Sequence, residues 1–421
     1  MIAFFGFYDD FARYFIKVNK ALMKFNINSY MFSNNLSGWI YWFIRGKPSC
    51  LLPIASFFQN FFFLTHTNKL LTNTDLDFMI EYHHKLLKGK YDFYLRIKAK
   101  LYFCYLYRWA KNNNVNLFFI SGDSRLISRA AIIVANKLNI KKLFFEQGPY
   151  NTTIIDRMGV NSNFSFRKKF PSYKKNNKAN FDFHFKNKKF KRNKAYRLSD
   201  YILSALLPLF LFPENTDSPL KFFKNLFTKD TRDNNIKNKK PYILLILQVP
   251  DDANMVLHCP LFNSFCEITK SIKKVLPDGI SLILREHPLY KGSYGRKLYD
   301  FVNNDPMISI DNISSLDEMI KESSLVVLNN STVAFNVIRY QKPLLILGDA
   351  YFDNQDFIHK LISKKHLKSI INHALKTKIR KNYIDDFYKS LSLYLTTSHF
   401  RDKDISNLAL STALRIKDEC I

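Results

Sequence analysis

Short apolar runs alternate with amphipathic stretches along the whole chain. Apolar runs bounded by polar or glycine residues predict buried strands, and apolar residues that recur every three or four positions predict helices. In the first half the predicted strands are 2–5, 28–32, 116–121 and 142–145, and the predicted helices are 9–25, 75–112 and 126–138. Asp9 is the expected N-cap of the first helix. This alternation favours a parallel sheet built from βαβ units.

The second half repeats the pattern. Its predicted strands are 242–247, 281–284, 325–328 and 343–347; helices are predicted at 262–275, after Thr332 to about Tyr340, and within 361–416. Polar side chains follow each of the four strands directly. In an open α/β sheet such positions face the ligand crevice.

At 421 residues the chain is longer than one hydrophobic core usually supports, so two domains are expected. We predict an α/β protein with two Rossmann-type domains facing a cleft. The first domain is assigned to 1–212, a polar linker to 213–240 and the second domain to 241–370. Residues 371–421 are expected to form C-terminal helices that pack back on the domains.

The formal net charge of +29 indicates an anionic partner: nucleic acid, acidic lipid headgroups or a phosphorylated substrate. Charge is the sole support for nucleic acid, because no recognition motif accompanies it, so no nucleic-acid partner is predicted. Residues 167–197 interleave basic and aromatic side chains, and the apolar stretch 201–212 follows. Together they predict an interfacial anchor on an anionic membrane surface, with a solvated loop as the alternative.

The five cysteines are scattered without CxxC spacing, which fits a reducing compartment and argues against a disulfide framework. No His, Cys or carboxylate cluster has metal-ligand spacing, so neither a metal site nor a cofactor is predicted. Asp9 and Asp10 stand where a signal peptide would need an apolar core, and 201–212 is too short to span a bilayer. A cytoplasmic protein is therefore expected.

The first candidate site follows strand 142–145, where the chain continues as Glu146-Gln147-Gly148-Pro149. A carboxylate at the end of a strand and before a turn predicts a site residue, with a solvated acidic turn as the alternative. The loop at Asp123 should lie at the same edge of the sheet, because parallel neighbours end together.

The second candidate site lies in the second half. Asn330-Ser331-Thr332 occupies a strand-to-helix junction, where hydroxyls and backbone N–H groups can bind an anion; a plain helix cap is the alternative. His287, fixed by Pro288, is expected to donate to a phosphate, with a buried hydrogen-bonded histidine as the alternative. Walker A and G-x-G-x-x-G patterns are absent, which argues against a kinase or a dehydrogenase.

Five sequence pieces occur in a specific order: GDSR from Gly122, EQG…T…D..GVN from Glu146, LQ…D.N from Leu247, EHPL…G from Glu286 and NST…P…LGDAYFD from Asn330. Between residues 116 and 353 they resemble the capsule polysaccharide synthesis family, the β-Kdo transferases of capsules and related surface glycolipids. The resemblance implies a GT-B-like fold, CMP-Kdo as donor substrate and no metal. The first domain would then serve the acceptor, and the second would bind the nucleotide sugar.

The same resemblance implies the roles of individual residues. Glu146 would be the general base or acid, Asp252 the carboxylate nucleophile, and His287 the group that holds the CMP phosphate. The other donor-binding residues would be Arg285, Pro288, Asn330, Ser331, Thr332, Gln248 and Asn254, and the sugar- or acceptor-binding residues Asp123, Arg125, Gly148, Asp156 and Asn161. A loop-stabilising Asx turn is the alternative for Asp156 and Asn161.

A carboxylate nucleophile agrees with retention of configuration, whereas Glu146 acting alone as base would give inversion; Asp251 is the alternative nucleophile. The expected function is transfer of Kdo to a glycolipid or oligosaccharide acceptor by a peripheral protein of the inner membrane, with other capsule assembly proteins as further candidate partners. A CMP-sialic acid transferase and a non-catalytic, glycan-binding assembly or export protein are the alternatives. The presence of both Glu146 and Asp252 favours an enzyme.

Overall fold

The computed structural model describes residues 1–60, 68–168, 189–212, 241–396 and 398–420. The chain divides into two compact units. The first contains the described residues of Met1–Ser165, Asp182–Leu226 and Tyr394–Ile421, and the second those of Phe166–Phe181 and Phe227–Leu393. The predicted linker, 213–240, and residues 169–188 of the basic run lie outside the described residues.

Each unit has one sheet, with six strands among the described residues. The first has the order β3-β2-β1-β4-β5-β6, and the second β12-β11-β10-β7-β8-β9. All pairings are parallel except that of β6 with β5. The strands are β1 Ile2–Gly6, β2 Ser29–Ser33, β3 Ser49–Leu51, β4 Leu117–Ser121, β5 Lys141–Gln147, β6 Thr153–Asp156, β7 Tyr242–Ile246, β8 Ser281–Arg285, β9 Ile308–Ile310, β10 Leu325–Leu328, β11 Leu344–Ile346 and β12 His359–Lys360.

Helices connect and flank these strands. They are α1 Asp9–Leu22, α2 Leu36–Phe43, α3 Leu52–Asn60, α4 Asn73–Leu86, α5 Asp92–Asn112, α6 Leu126–Leu138, α7 Lys194–Leu206, α8 Pro208–Leu211, α9 Ala253–His258, α10 Phe265–Lys274, α11 Arg296–Asn303, α12 Leu316–Glu322, α13 Ala334–Arg339, α14 Leu367–Lys376, α15 Lys381–Ser392 and α16 Ser406–Cys420. Short 3-10 turns include Pro149–Asn151 and Pro288–Tyr290.

The predicted fold class, α/β with two GT-B-like Rossmann-type domains, is confirmed by these two sheets. In each, the first and fourth strands lie side by side and the strand order reverses between them, as in doubly wound nucleotide-binding folds. The strands β3, β6, β9 and β12 were not predicted, because two to four residues give too short an apolar run.

Two local predictions were wrong. The helix expected over 75–112 is two helices, because Lys88, Gly89 and Tyr91 between them have positive φ values of 54°, 75° and 65° and interrupt the helical backbone. Tyr8, not Asp9, is the N-cap of α1. Asp9 instead lies in the first turn, where a carboxylate meets the positive end of the helix dipole.

Aromatic side chains fill the core of the first unit. The buried rings of Phe119 and Phe145, on adjacent strands, stack at 4.7 Å between centroids, and Phe4 stacks on Phe15 of α1 at 4.8 Å. Gly6 permits this contact, since a Cβ there would lie 2.6 Å from the Phe15 ring. The aromatic bias of the sequence therefore serves packing between α1 and the sheet.

The C-terminal helices are shared between the units. α14 and α15 belong to the second unit, whereas α16 belongs to the first and packs on α1, where the Tyr14 hydroxyl lies 2.7 Å from Thr412 Oγ1. Within the described residues, no helix combines the length and apolarity needed to cross a membrane.

A buried carboxylate holds three distant parts of the first unit together. Asp10, in the first turn of α1, is fully buried, and its Oδ2 accepts from Arg192 Nε at 2.9 Å and from Arg401 Nε at 2.7 Å. Both arginines are about two-thirds buried. Losing one partner of a buried ion pair leaves uncompensated charge and costs more than the pair itself contributes.

We therefore expect Asp10→Ala to lower the free energy of unfolding by about 3 kcal/mol, measured by urea denaturation. Asp418→Ala, which removes an exposed carboxylate from α16, should change it by less than about 0.5 kcal/mol. Equal losses in the two variants would contradict the bridging role of Asp10.

Candidate functional site

In the second unit the site residues lie at the reversal of the strand order. β7 and β10 are adjacent and parallel, with Ile243 opposite Leu325, and β8 lies on the other side of β7. Their carboxyl ends therefore share one edge, which is where open α/β sheets bind ligands. Gln248 follows β7, His287 follows β8 and Asn330 follows β10.

Gln248 and Asn330 join two of these strand ends. Buried Gln248 Oε1 accepts from the backbone N–H groups of Asn329 at 3.1 Å and Asn330 at 2.9 Å, and its Nε2 donates to Asn330 Oδ1 at 3.0 Å. Asn330 Nδ2 donates in turn to the carbonyls of Asn254 and Asp349, both at 3.1 Å. The side-chain amides of Gln248 and Asn330 are thus hydrogen-bonded to other protein groups and hold the loops in position. Their direct contact with a donor substrate stays a prediction.

Asp252 lies at the N-terminus of α9. Its Oδ1 accepts from the backbone N–H of Asn254 at 2.8 Å, which makes it the N-cap of that helix. The residue is exposed, so capping leaves the carboxylate at the surface of the sheet edge. A fixed, solvent-accessible carboxylate at this edge is the geometry that a nucleophile needs.

His287 is held in one tautomer by the turn that follows it. Its Nδ1 accepts from the backbone N–H of Leu289 at 3.2 Å, in the short turn that begins at Pro288, so a neutral ring carries its proton on Nε2. Burial lowers the pKa of His287 below its ordinary value, and the negative charge of Asp252 partly opposes this. At neutral pH the ring is therefore an uncharged hydrogen-bond donor through Nε2.

Glu286 shapes the loop that carries His287, a role that the sequence did not indicate. This buried carboxylate accepts from the Tyr299 hydroxyl at 2.5 Å and from Asn312 Nδ2 at 2.8 Å. The Tyr299 oxygen accepts from the N–H of Tyr294 at 3.1 Å, and the Tyr294 oxygen from the N–H of His287 at 3.0 Å. Hydrogen bonds therefore connect Glu286 to the histidine loop through Tyr299, 13 residues from Glu286, and Tyr294, seven residues from His287.

The remaining donor-side residues have mainly structural contacts. Arg285 Nη1 donates to the carbonyls of Asp311 at 3.0 Å and Ser314 at 2.8 Å, which ties the loop after β9 to β8. Ser331 Oγ accepts from the N–H of Val333 at 3.2 Å, which is a local turn before the helix; the N-cap of α13 is Val333, which has no side-chain cap bond. Thr332 is exposed. α13 begins only at Ala334 and has six residues, so the dipole expected at an anion site is weak.

In the first unit, Glu146 and Asp123 lie at one edge, as expected from the parallel pairing of β4 and β5. Glu146 is half-buried and lies within β5, opposite Ile154 of β6, because the strand continues to Gln147. Gly122 lies beside it, and the φ of +64° there favours glycine; a Cβ at this position would be in ordinary van der Waals contact with Glu146 Oε2, at 3.5 Å.

Asp123 and Asp156 both brace the loop after β6. Asp123 is buried, and its Oδ2 accepts from the N–H of Val160 at 3.1 Å and from Asn163 Nδ2 at 2.9 Å. Asp156 is also buried, and its Oδ1 accepts from the N–H of Met158 at 2.8 Å, which is the Asx-turn alternative. Their predicted sugar contacts stay predictions.

Three further predicted site residues lie in the first unit. Gly148 is required by packing, since a Cβ there would lie 2.3 Å from Thr152 Oγ1. Asn161 adopts a left-handed φ of 53° in the braced loop. Arg125 lies over the Tyr82 ring at 5.2 Å. Burial lowers the pKa of His83 well below its ordinary value, and the positive charge of Arg125 lowers it further.

The structure thus brings Gln248, Asp252, Asn254, His287, Asn330 and Ser331 to one sheet edge in the second unit, and Asp123 and Glu146 to one sheet edge in the first. Asp156 does not share that edge, because β6 runs antiparallel and places it opposite Phe144 in the middle of β5. Among the described residues, no group of three or more His, Cys, Asp or Glu side chains is arranged so that it could hold a metal ion.

Residues 118–357, more than half of the chain, match the family model described as "Capsule polysaccharide biosynthesis protein", and the chain belongs to this family. A curated relative, Protein FixF of Sinorhizobium fredii, is 26% identical over 121 residues. That match spans 28% of this chain and 29% of the relative, so the chain matches less than a third of the relative's length.

Solved structures with detectable similarity include two described as Thermosulfurimonas dismutans KpsC. The β-Kdo 2,4 transferase is 11% identical with a TM-score of 0.41, covering 72% of this chain and 88% of that one. The β-Kdo 2,7 transferase is 13% identical with a TM-score of 0.38, covering 74% and 88%. Methanocaldococcus jannaschii UDP-GlcNAc 2-epimerase is 12% identical with a TM-score of 0.33, covering 93% and 99%.

The proximity of Asp252 to His287 is testable without any substrate. We expect Asp252→Asn to lower the pKa of His287 further, because the negative charge that favours the imidazolium is removed while an asparagine still caps α9. The pKa is measured by NMR titration of the His287 ring protons.

Asp251→Asn is the matched control, since it removes the adjacent carboxylate, whereas Asp252 is the charge that raises the pKa of His287. It should leave the pKa unchanged. An Asp252→Asn protein whose His287 titrates as in the wild type would contradict the arrangement of this edge.

Proposed function

We propose that the chain is a glycosyltransferase that moves Kdo from CMP-Kdo to a glycolipid or oligosaccharide acceptor in capsule or surface polysaccharide synthesis. The observation that carries the proposal is the edge of the second sheet. There Asp252 and a neutral, tautomer-fixed His287 follow adjacent strands at the reversal of the strand order. Membership of the capsule polysaccharide family supports the pathway.

In the proposed reaction, His287 donates from Nε2 to an oxygen of the CMP phosphate and stabilises the leaving nucleotide. A neutral imidazole suits this step, because it keeps its Nε2 proton and can donate a hydrogen bond to the phosphate oxygen as negative charge develops there. The loop shaped by Glu286 holds the ring in place. Neither a metal ion nor a cofactor enters the proposed reaction.

Asp252 attacks the anomeric carbon of Kdo, and the bond to the CMP oxygen breaks, giving a glycosyl-enzyme and free CMP. Glu146 accepts the proton of the acceptor hydroxyl as that oxygen displaces Asp252, so two displacements retain the configuration. Inversion, with Glu146 as base and no covalent intermediate, is the alternative within the same class.

The acceptor is proposed to lie at the anionic surface of the inner membrane. The net positive charge of the chain would attract the protein to that surface. Other capsule assembly proteins are proposed as further partners. A transferase that uses CMP-sialic acid or another nonulosonate remains the second candidate, since the donor-side residues contact a phosphate in either case.

The test is to mix the full-length protein with CMP-Kdo generated in situ and a Kdo-terminated or lipid acceptor, and to follow CMP release. Asp252→Asn, Glu146→Gln and His287→Ala should each reduce turnover by roughly 100-fold or more. Asp251→Asn is the control for Asp252→Asn and should retain activity.

Each other result changes the assignment. Full activity in Asp252→Asn with loss in Asp251→Asn assigns the nucleophile to Asp251, whereas full activity in both overturns the covalent step and favours inversion. CMP release from CMP-sialic acid but not from CMP-Kdo favours the second donor. No release from either donor favours a glycan-binding protein of capsule assembly or export.

A further inference from the structure

The solvent-facing side of α7 is apolar, which is the reverse of the usual pattern for a surface helix. Leu198, Ile202 and Leu206 are 57%, 50% and 70% exposed. They are spaced four residues apart and therefore form one stripe along the helix. The acidic residue within α7, Asp200, is buried on the other side.

The opposite side of α7 is fixed to α2, so the stripe cannot turn towards the core. Asp200 Oδ1 accepts from the backbone N–H of Ser37, in the first turn of α2, at 2.8 Å. One turn earlier, the Tyr196 ring packs edge-on against Tyr41 at 5.5 Å. These two contacts, a polar one and an aromatic one, set the rotation of the helix about its axis.

The apolar surface continues beyond the end of α7. The chain turns at Pro208 into α8, and the carbonyl of Phe212 accepts from Lys98 Nζ on α5. The Phe212 ring contacts Tyr91, which is 59% exposed, at 5.0 Å between centroids. We call the exposed stripe of α7 together with Tyr91 the α7 surface.

Lysines flank the α7 surface at both ends. Lys191 and Lys194 are exposed at the start of α7, and Lys88 and Lys90 are exposed immediately before Tyr91. Exposed apolar side chains between exposed cations match the chemistry of an anionic lipid interface, where acyl chains meet acidic headgroups. A second copy of the chain is a poorer match, because pairing two α7 surfaces would place lysines against lysines.

We propose that the α7 surface docks the first unit on a bilayer containing anionic phospholipid. The stripe lies at the boundary between headgroups and acyl chains, and the lysines contact the headgroup phosphates. The inference deepens the proposed function and rests on it for its purpose, since a glycolipid acceptor would lie in the same bilayer. The binding itself requires neither donor nor acceptor.

The experiment is sedimentation of the full-length protein with vesicles that contain no acceptor. One set is phosphatidylcholine alone, and the other contains roughly one-third phosphatidylglycerol. The test variant is Leu198→Ser, Ile202→Ser and Leu206→Ser combined. The matched control replaces three other exposed apolar residues, Ile362, Leu410 and Leu414, with serine.

The wild type and the control should bind the anionic vesicles and not phosphatidylcholine alone, whereas the test variant should bind at least roughly tenfold more weakly. Lys191→Glu with Lys194→Glu should also weaken binding, with the wild-type interaction declining as salt is raised. Circular dichroism verifies that each variant is folded.

Absence of wild-type binding, or an equal loss in the test and control variants, overturns the inference. A wild-type dimer that becomes a monomer in the test variant, with vesicle binding unchanged, assigns the surface to a second copy and also overturns it. Failure of the transferase assay leaves the vesicle result intact, so the two proposals can fail separately. With a soluble acceptor, the test variant should retain CMP release.

Discussion

The Gln248 carboxamide joins the ends of the two strands between which the second sheet reverses its order. One side chain satisfies the N–H groups of Asn329 and Asn330 and also contacts the Asn330 side chain, which extends the connection to the loops at Asn254 and Asp349. Buried backbone groups at the end of a strand need partners, and here amides provide them without introducing a charge. The positions of Asp252 and of the chain after β10 depend on this connection.

Buried carboxylates perform the corresponding task elsewhere. Asp123 and Asp156 accept from the N–H groups of the loop after β6, and Glu286 accepts from Tyr299 and Asn312 below the histidine loop. Burying a carboxylate is costly unless its oxygens are hydrogen-bonded, so each of these groups restricts its loop to a conformation that supplies the donors. The motif residues therefore have two roles. Some of them fix the conformation of a loop, and others, including Asp252 and His287, are held at the sheet edge by these loops.

Much of the fold was predictable because parallel strands buried on both faces give uninterrupted apolar runs. β4, β7, β8, β10 and helix α6 were found within one residue of their predicted bounds. β6, which pairs antiparallel with β5 and places Glu146 inside a ladder, was not predicted, because its four residues follow a turn and have no distinctive pattern. The break between α4 and α5 was missed since the apolar periodicity continues across left-handed residues such as Tyr91.

The sequence by itself determined the fold class, the family resemblance and which polar residues end the strands, since these depend on local apolar periodicity and on the order of motifs. Only the tertiary structure decided how those residues are used. Arg285 bonds backbone carbonyls at Asp311 and Ser314, and Glu286 supports His287 through Tyr294 and Tyr299. Likewise, the rotation that exposes Leu198 on α7 is set by Asp200 contacting Ser37, which is 163 residues away in sequence. These partners come into contact only when separate segments of the chain fold against one another. Neither the residue types nor their spacing along the chain predicts which segments will do so.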